Sequence, residues 1–438
     1  MVPEKPFPLL KLPPQALERT FGLMRRLDLI PLSLLSKKTA RAILLNNIAP
    51  KGYEVKYTDK TKSIKITFID NTSFEWKFKK YQAQPYKIHE FKIGDITVTC
   101  MKTNCGLITF SSTIPQNLPE AVLFHNIFRL FLKTFPAGIT ELHLDLTMES
   151  EKTNMKNKEN GFLKLLAQNE ATFCDNLILS GSPESKILNF ALTKIMVSKI
   201  LTIKSKVSKN YVLPETVHAQ CLIIQKGDWI LSSGGIFSAN AKFCRLQNVL
   251  LREKCVNVIQ RFLEIPSAPS LEWLTVELQE GNLNIRELID GFGAKEWEIG
   301  RRDGYFTQFH GEKLIDIDCR KGFDIQRADG LLATVILTEP EKNGFQQFHL
   351  IIWHNRFPNA ENLRLRRENI GDLSEKELER NRKLRENEAK IKKNEEDIER
   401  MTLEIEELRA DNAAQKLGRD SFESILVMMK KLQTDNAT

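Results

Sequence analysis

No stretch of this sequence holds the ~20 consecutive apolar residues that a helix needs to cross a bilayer, so a helical membrane protein is not expected. The opening Met1-Val-Pro-Glu-Lys-Pro-Phe-Pro8 sets prolines where a signal peptide would need a continuous apolar run. There is no Cys-x-x-Cys pair. The seven cysteines, Cys100, Cys105, Cys174, Cys221, Cys244, Cys255 and Cys319, are odd in number and mostly sit inside apolar runs such as residues 219–224. That pattern fits reduced core thiols rather than a disulfide framework. The expected residence is the cytoplasm, the nucleus or both. A large excess of either charge is missing too: 64 Lys and Arg against 56 Asp and Glu leave +8 over 438 residues. This is far below the density of a dedicated polyanion binder, and nucleic acid is not an expected partner.

Catalytic signatures are also absent. Walker A needs Gly, four residues, then Gly-Lys-Ser/Thr, so that backbone N–H groups ring a phosphate; nothing matches, and Gly227 and Ser232–Gly235 read as turns. The histidines, His89, His125, His143, His218, His310, His349 and His354, form no i, i+4 His-Glu-x-x-His pair. There is no Gly-x-Ser-x-Gly elbow. Arg301, Arg302, Arg364, Arg366 and Arg367 are interleaved with Asp303, Glu361 and Glu368, as on a solvated face. The expectation is a protein without catalysis, cofactor or metal.

What is present is a globular balance, 42% hydrophobic and 27% charged, and a length that suits about three domains. Residues 5–48 read as a small helical unit. Leu12-Pro13-Pro14 places proline where a first helical turn tolerates it, and Ala16, Leu17, Thr20, Phe21 and Met24 follow on one face. Leu27, Ile30, Leu34 and Leu35 continue, with a helix that either begins near Pro31 or is kinked by it; Ala40, Ile43, Leu44 and Leu45 give a third short face. Residues 51–112 alternate apolar and polar, as antiparallel strands do.

Residues 115–360 read as an α/β domain. Short strands at 142–146, 177–180, 200–204, 221–224 and 273–278 alternate with helical runs at 162–166, 187–197, 249–262 and 285–292. Strand starts fall at irregular intervals, the last of them 52 residues long. A leucine-rich-repeat-like region, closed by antiparallel strands at 323–337 and 347–353, is preferred over a doubly wound sheet. Asp329-Gly330 marks a hairpin turn.

Residues 366–417 predict a coiled-coil helix. Leu384, Ile391, Ile398 and Ile405 recur every seven residues, with Met401 and Leu408 at the other seam position and Asn387 and Asn394 upstream. Residues 418–438 form a short amphipathic tail around Phe422, Ile425, Leu426 and Met429. The fold class is therefore α+β or α/β: three N-terminal helices, an antiparallel β segment, a repeat-like αβ region and a C-terminal coiled-coil helix.

The stretch Pro6-Phe-Pro-Leu-Leu-Lys-Leu-Pro13, followed by Leu17, Phe21, Leu27, Ile30, Leu34 and Ser36-Lys37-Lys38, resembles an F-box. It departs from the commoner pattern at Pro14 and Pro31. Phe323–Val335 and Phe348–His354 resemble an F-box-associated domain of the type 2-like kind. The resemblance implies a substrate-recognition adaptor of a cullin-RING (SCF-type) ubiquitin ligase. Leu12, Pro13, Leu17, Phe21, Leu27, Ile30 and Leu34 would then be divided between the unit's own core and the groove of a Skp-type adaptor, which joins it to the cullin. The associated domain would hold an unknown protein substrate. The alternatives are a scaffold that self-associates through the coiled coil and, last, an enzyme using a cleft of the repeat-like region.

Overall fold

Proline opens the first helix as the sequence predicts. In α1 (Pro14–Leu23) a proline occupies the first helical turn, and the Leu17 N–H donates to the Pro13 carbonyl at 2.9 Å. α2 (Arg26–Leu35) starts before Pro31 and runs through it. Proline withholds one backbone donor, and the helix is kept by packing: Leu29, Ile30 and Leu34 are buried. α3 (Lys37–Leu45) is capped by Ser36, whose Oγ accepts from the Thr39 N–H at 3.0 Å. The structure is a computed structural model and describes residues 9–357, except 47, 49, 80–87, 94–95, 111–113, 115–117, 151–160, 168–172, 209, 234, 251–252, 266–268, 280–282, 311–312 and 341–344, together with Val427.

Six strands follow: β1 (Pro50–Tyr57), β2 (Lys62–Phe68), β3 (Ser73–Lys79), β4 (Ile88–Ile93), β5 (Ile96–Thr103) and β6 (Gly106–Phe110). β1, β2 and β3 are antiparallel neighbours, as are β4, β5 and β6, but β3 joins β6 in parallel. The segment is therefore mixed rather than purely antiparallel: alternation fixes which face a residue takes, not which strand it pairs with. Gly106 permits the parallel junction, because a Cβ there would collide with the Glu75 carbonyl oxygen.

α4 (Glu120–Thr134) lies across these strands. Phe124, Phe128 and Phe131 share one helical face, and their rings meet Tyr57 at 5.1 Å, Tyr53 at 5.7 Å and Trp76 at 5.8 Å. β7 (Ile139–Asp145) then pairs with β1 in parallel. After it come α5 (Thr147–Ser150), α6 (Phe162–Ala167), β8 (Phe173–Ser180), α7 (Ser185–Lys194), β9 (Met196–Ile203), β10 (His218–Gln225), α8 (Asp228–Ser233), β11 (Asn240–Val249), α9 (Glu253–Glu264) and β12 (Trp273–Leu278).

β7 to β12 are parallel and lie in sequence order. β11 fills the long interval that the sequence reading left between residues 221 and 273. α10 (Ile285–Ile289), β13 (Lys295–Glu296), β14 (Tyr305–His310), β15 (Lys313–Asp318), β16 (Phe323–Gln326), β17 (Leu332–Leu337) and β18 (Gln346–Trp353) complete the body. The β16–β17 hairpin forms as predicted, with Gly330 at φ +87° in its turn.

Among the described residues sixteen strands thus share one mixed sheet running from β13 through β16, β17, β18 and β12, back through β11 to β7, then β1, β2, β3, β6, β5 and β4. One buried row crosses twelve of them: Leu107, Trp76, Ile64, Val55, Leu142, Leu177, Leu201, Leu222, Cys244, Leu274, Leu350 and Val335. The helices pack on this face. Apart from β14 and β15, which pair only with each other, the strands of 51–112 and of 115–360 therefore lie in one sheet over one continuous core that also takes in Phe21, Leu29, Ile30, Leu34 and Ile43 from α1 to α3.

On the opposite face the β14–β15 hairpin covers Phe243, Trp273, Ile351 and Trp353, with Phe306 placed 6.3 Å from Trp273 and 5.6 Å from Trp353. Arg302 pins this corner. Its fully buried guanidinium meets Asp324 at 2.7 Å and the Cys319 carbonyl at 2.8 Å, under the Trp353 ring.

The chain divides into residues 1–356 and 357–438. In the second unit only Phe357 and Val427 are described, so the expected coiled coil with Leu384, Ile391, Ile398, Met401, Ile405 and Leu408, and the amphipathic tail, lie outside the described residues. Among the described residues no helix is long and apolar enough to cross a membrane.

Candidate functional site

The seven residues singled out for adaptor docking separate into two groups. Phe21, Ile30 and Leu34 are 0, 0 and 3% exposed and belong to the core. Leu12, Leu17 and Leu27 are half-buried and Pro13 is exposed; Leu17 and Leu27 pack against the core with one side.

Four leucines outside that set are exposed to solvent. Leu23 is 81% exposed, Leu35 66%, Leu45 75% and Leu44 37%. A signal was present in Leu34-Leu35 and Ile43-Leu44-Leu45. Successive residues of a helix point about 100° apart, so three adjacent apolar side chains cannot all face one core. Each of the three short helices thus ends with one or two leucines exposed to solvent.

Beside these leucines lies a cleft of about 490 Å³. Glu18 and Gly22 of α1, Arg26 at the start of α2, Asn46 and Ile48 after α3, and Phe68, Ile69 and Asp70 at the end of β2 line it. Asp70 accepts from Thr72 Oγ1 at 2.6 Å and from the Thr72 N–H at 2.9 Å, which holds its carboxyl below the usual range, with the Arg26 charge adding to the effect. Asn46 Nδ2 donates to the Ala42 carbonyl at 2.7 Å. Its Oδ1, and Arg26 Nη1, are buried with no hydrogen-bond partner among the described residues.

The face of the parallel strands opposite the main core carries a second row: His143, Ile178, Thr202, Ile223, Arg245, Thr275 and His349 in register. His143 Nε2 lies 3.2 Å from Ser180 Oγ, and burial, with Lys204 next, lowers its pKa. Burial pushes the thiols of Cys100, Cys174, Cys221, Cys255 and Cys319 up to about 12 and raises Cys244 as well, which makes each a poor nucleophile. Among the described residues no group of three or more His, Cys, Asp or Glu is placed to hold a metal ion.

No family model matches the chain, and no solved structure matches it. Two proteins of Caenorhabditis elegans are similar, both named as uncharacterized. F59B2.9 is 21% identical over 373 residues, spanning 84% of this chain and 84% of its own length. F59B2.8 is 22% identical over 368 residues, spanning 82% of this chain and 80% of its own length.

Proposed function

We propose that this chain is a non-catalytic substrate-recognition adaptor of a cullin-RING ubiquitin ligase, with the F-box-like helices docking on a Skp-type adaptor and the body holding a protein target. The observation that carries the reading is the set of exposed leucines, Leu23, Leu35, Leu44 and Leu45, on a helical unit whose other large apolar residues are wholly or partly packed inward. Such an adaptor works by raising the local concentration of its target beside a ubiquitin-loaded enzyme, and needs no chemistry of its own. β7 to β12 with their crossover helices read as leucine-rich-repeat-like units. Support comes from the buried leucine row and from strand starts spaced roughly every 22 residues from Phe173 through Asn240. The target would lie on the second face, where Ile178, Thr202 and Ile223 are neighbours.

The test is co-purification. Full-length protein should recover a Skp-type adaptor and a cullin, and the triple variant Leu23→Glu, Leu35→Glu, Leu45→Glu should recover at least about tenfold less of both. All three positions face solvent, so the variant keeps its core, whereas charging Phe21 would test folding instead. Equal recovery from the variant, or none from the wild type, removes the reading.

A second reading rests on the heptad residues Leu384, Ile391, Ile398, Met401, Ile405 and Leu408: the chain self-associates through residues 366–417. Light scattering should then give a dimer or larger that becomes a monomer when those residues are deleted. An unchanged mass on deletion counts against it.

A further inference from the structure

The large sheet ends differently at its two edges. At one edge β13 is two residues long, the kind of short strand that blunts pairing with another chain. At the other, β4 runs for six residues, and among the described residues no strand borders its outer side. Phe91 and Ile93 are buried on its core face, where α2 packs, while Glu90 and Lys92 are exposed on the opposite face.

The register fixes which backbone groups of β4 point outward. Ile93 and Ile96 are partners with only two residues between them. Partners that close must exchange both hydrogen bonds, because the non-bonded kind of pair would need bonds between the two connecting residues themselves. Bonded and non-bonded pairs alternate along an antiparallel ladder. Phe91 with Val98 and His89 with Cys100 are therefore bonded pairs, and the N–H and C=O groups of Glu90 and Lys92 face away from β5, where another strand could take them up.

The charges select the strand. Glu90 and Lys92 have Thr99 and Thr97 opposite them on β5, so neither charge is answered by the strand beside it. Lysine on an edge ordinarily repels a second copy of the same edge. A second β4, antiparallel and related by a two-fold axis through Phe91, instead brings each Glu90 opposite Lys92 of the other copy. Those are the same two residues whose backbone groups point outward, so one register closes both the hydrogen bonds and the ion pairs. A two-fold axis at Glu90 or at Lys92 would set like charges opposite each other, which is unfavourable. We propose that β4 is a self-association edge, through which two copies of this chain pair antiparallel with a Glu90–Lys92 ion pair on either side of the two Phe91 residues. This rests on neither reading above, since it uses neither the exposed leucines nor residues 366–417.

The experiment is amide hydrogen exchange of the full-length protein at two concentrations, about 2 µM and about 200 µM, read amide by amide. The Glu90 and Lys92 amides should exchange at least about threefold more slowly at the higher concentration, while those of Ile64 and Trp76, inside the sheet, stay within about twofold. Glu90→Lys and Lys92→Glu each place like charges opposite one another and should remove the concentration dependence. The double swap, Glu90→Lys with Lys92→Glu, restores opposite charges and should bring it back. All three variants change only exposed side chains, so the core is kept. No concentration dependence in the wild type overturns the proposal, as does a dependence that both single variants keep or that the double swap fails to restore. A rise in mass by light scattering without slower exchange at Glu90 and Lys92 also overturns it, because the copies would then meet elsewhere.

Discussion

His349 shows how one side chain can tie stability to pH. It is 7% exposed on β18 and faces Trp273, whose Nε1–H donates to His349 Nδ1 at 3.3 Å, and Thr275, whose Oγ1 lies 3.1 Å from the same nitrogen. Accepting from Trp273 requires Nδ1 to be unprotonated. Burial, with the Arg245 charge two strands away on β11, pushes the pKa down to about 4, whereas a histidine in an unfolded chain titrates near 6.5. The folded state prefers the neutral ring, so this stabilisation is whole above about pH 6.5 and is lost as pH falls from there toward 4. The loss amounts to about 3 kcal/mol. Denaturant titrations at pH 7 and pH 4 should therefore differ more for the wild type than for His349→Gln, by about that amount. Identical pH dependence in the two proteins would show that the ring is no more costly to protonate when folded.

Among the elements, legibility followed how completely a segment's pattern was set by one face. The cores of β7, β8, β9, β10 and β12 were readable because Leu142, Leu177, Leu201, Leu222 and Leu274 sit in short runs with a second apolar residue two places on. β11 was not. Its outer-face residues Arg245 and Gln247 interrupt the run, and Val249, its last residue, is followed so closely by the apolar periodicity of α9 that the two read as one helix. α7 was extended too far for the related reason that Lys194, Ile195 and Met196 change from helix to strand within three residues. α4 has no counterpart in the sequence reading, although Phe124, Phe128 and Phe131 are spaced for a helix face. At the candidate site the apolar residues were found, but their division was not. Which leucines face out depends on where β3, β4 and α4 press against the helices, and those contacts join residues distant in sequence.

At the scale of the molecule, the three N-terminal helices are part of the body rather than a unit on a tether. α2 packs on β3 and β4, and α3 packs on α4. Lys102 of β5 comes within 3.9 Å of Asp28 of α2, and Lys62 of β2 bridges Glu120 of α4 at 2.6 Å. Phe21, Leu29, Ile30, Leu34 and Ile43 share the apolar core with Val55, Ile64 and Trp76. A segment of about fifty residues makes only a marginal core by itself, and here the sheet supplies the missing partner. Helices and sheet should open together, because exposing one uncovers the core of the other. Native-state hydrogen exchange is the measurement. The amides of Ile30, Leu34 and Ile43 should exchange through an opening within about 1 kcal/mol of that for Val55, Ile64 and Trp76. Exchange about a hundredfold faster in the helices would mean that they come away on their own. With a shared opening, the exposed Leu23, Leu35 and Leu45 stay at a fixed distance from the second face of the parallel strands, whereas separate openings would let the two surfaces move independently.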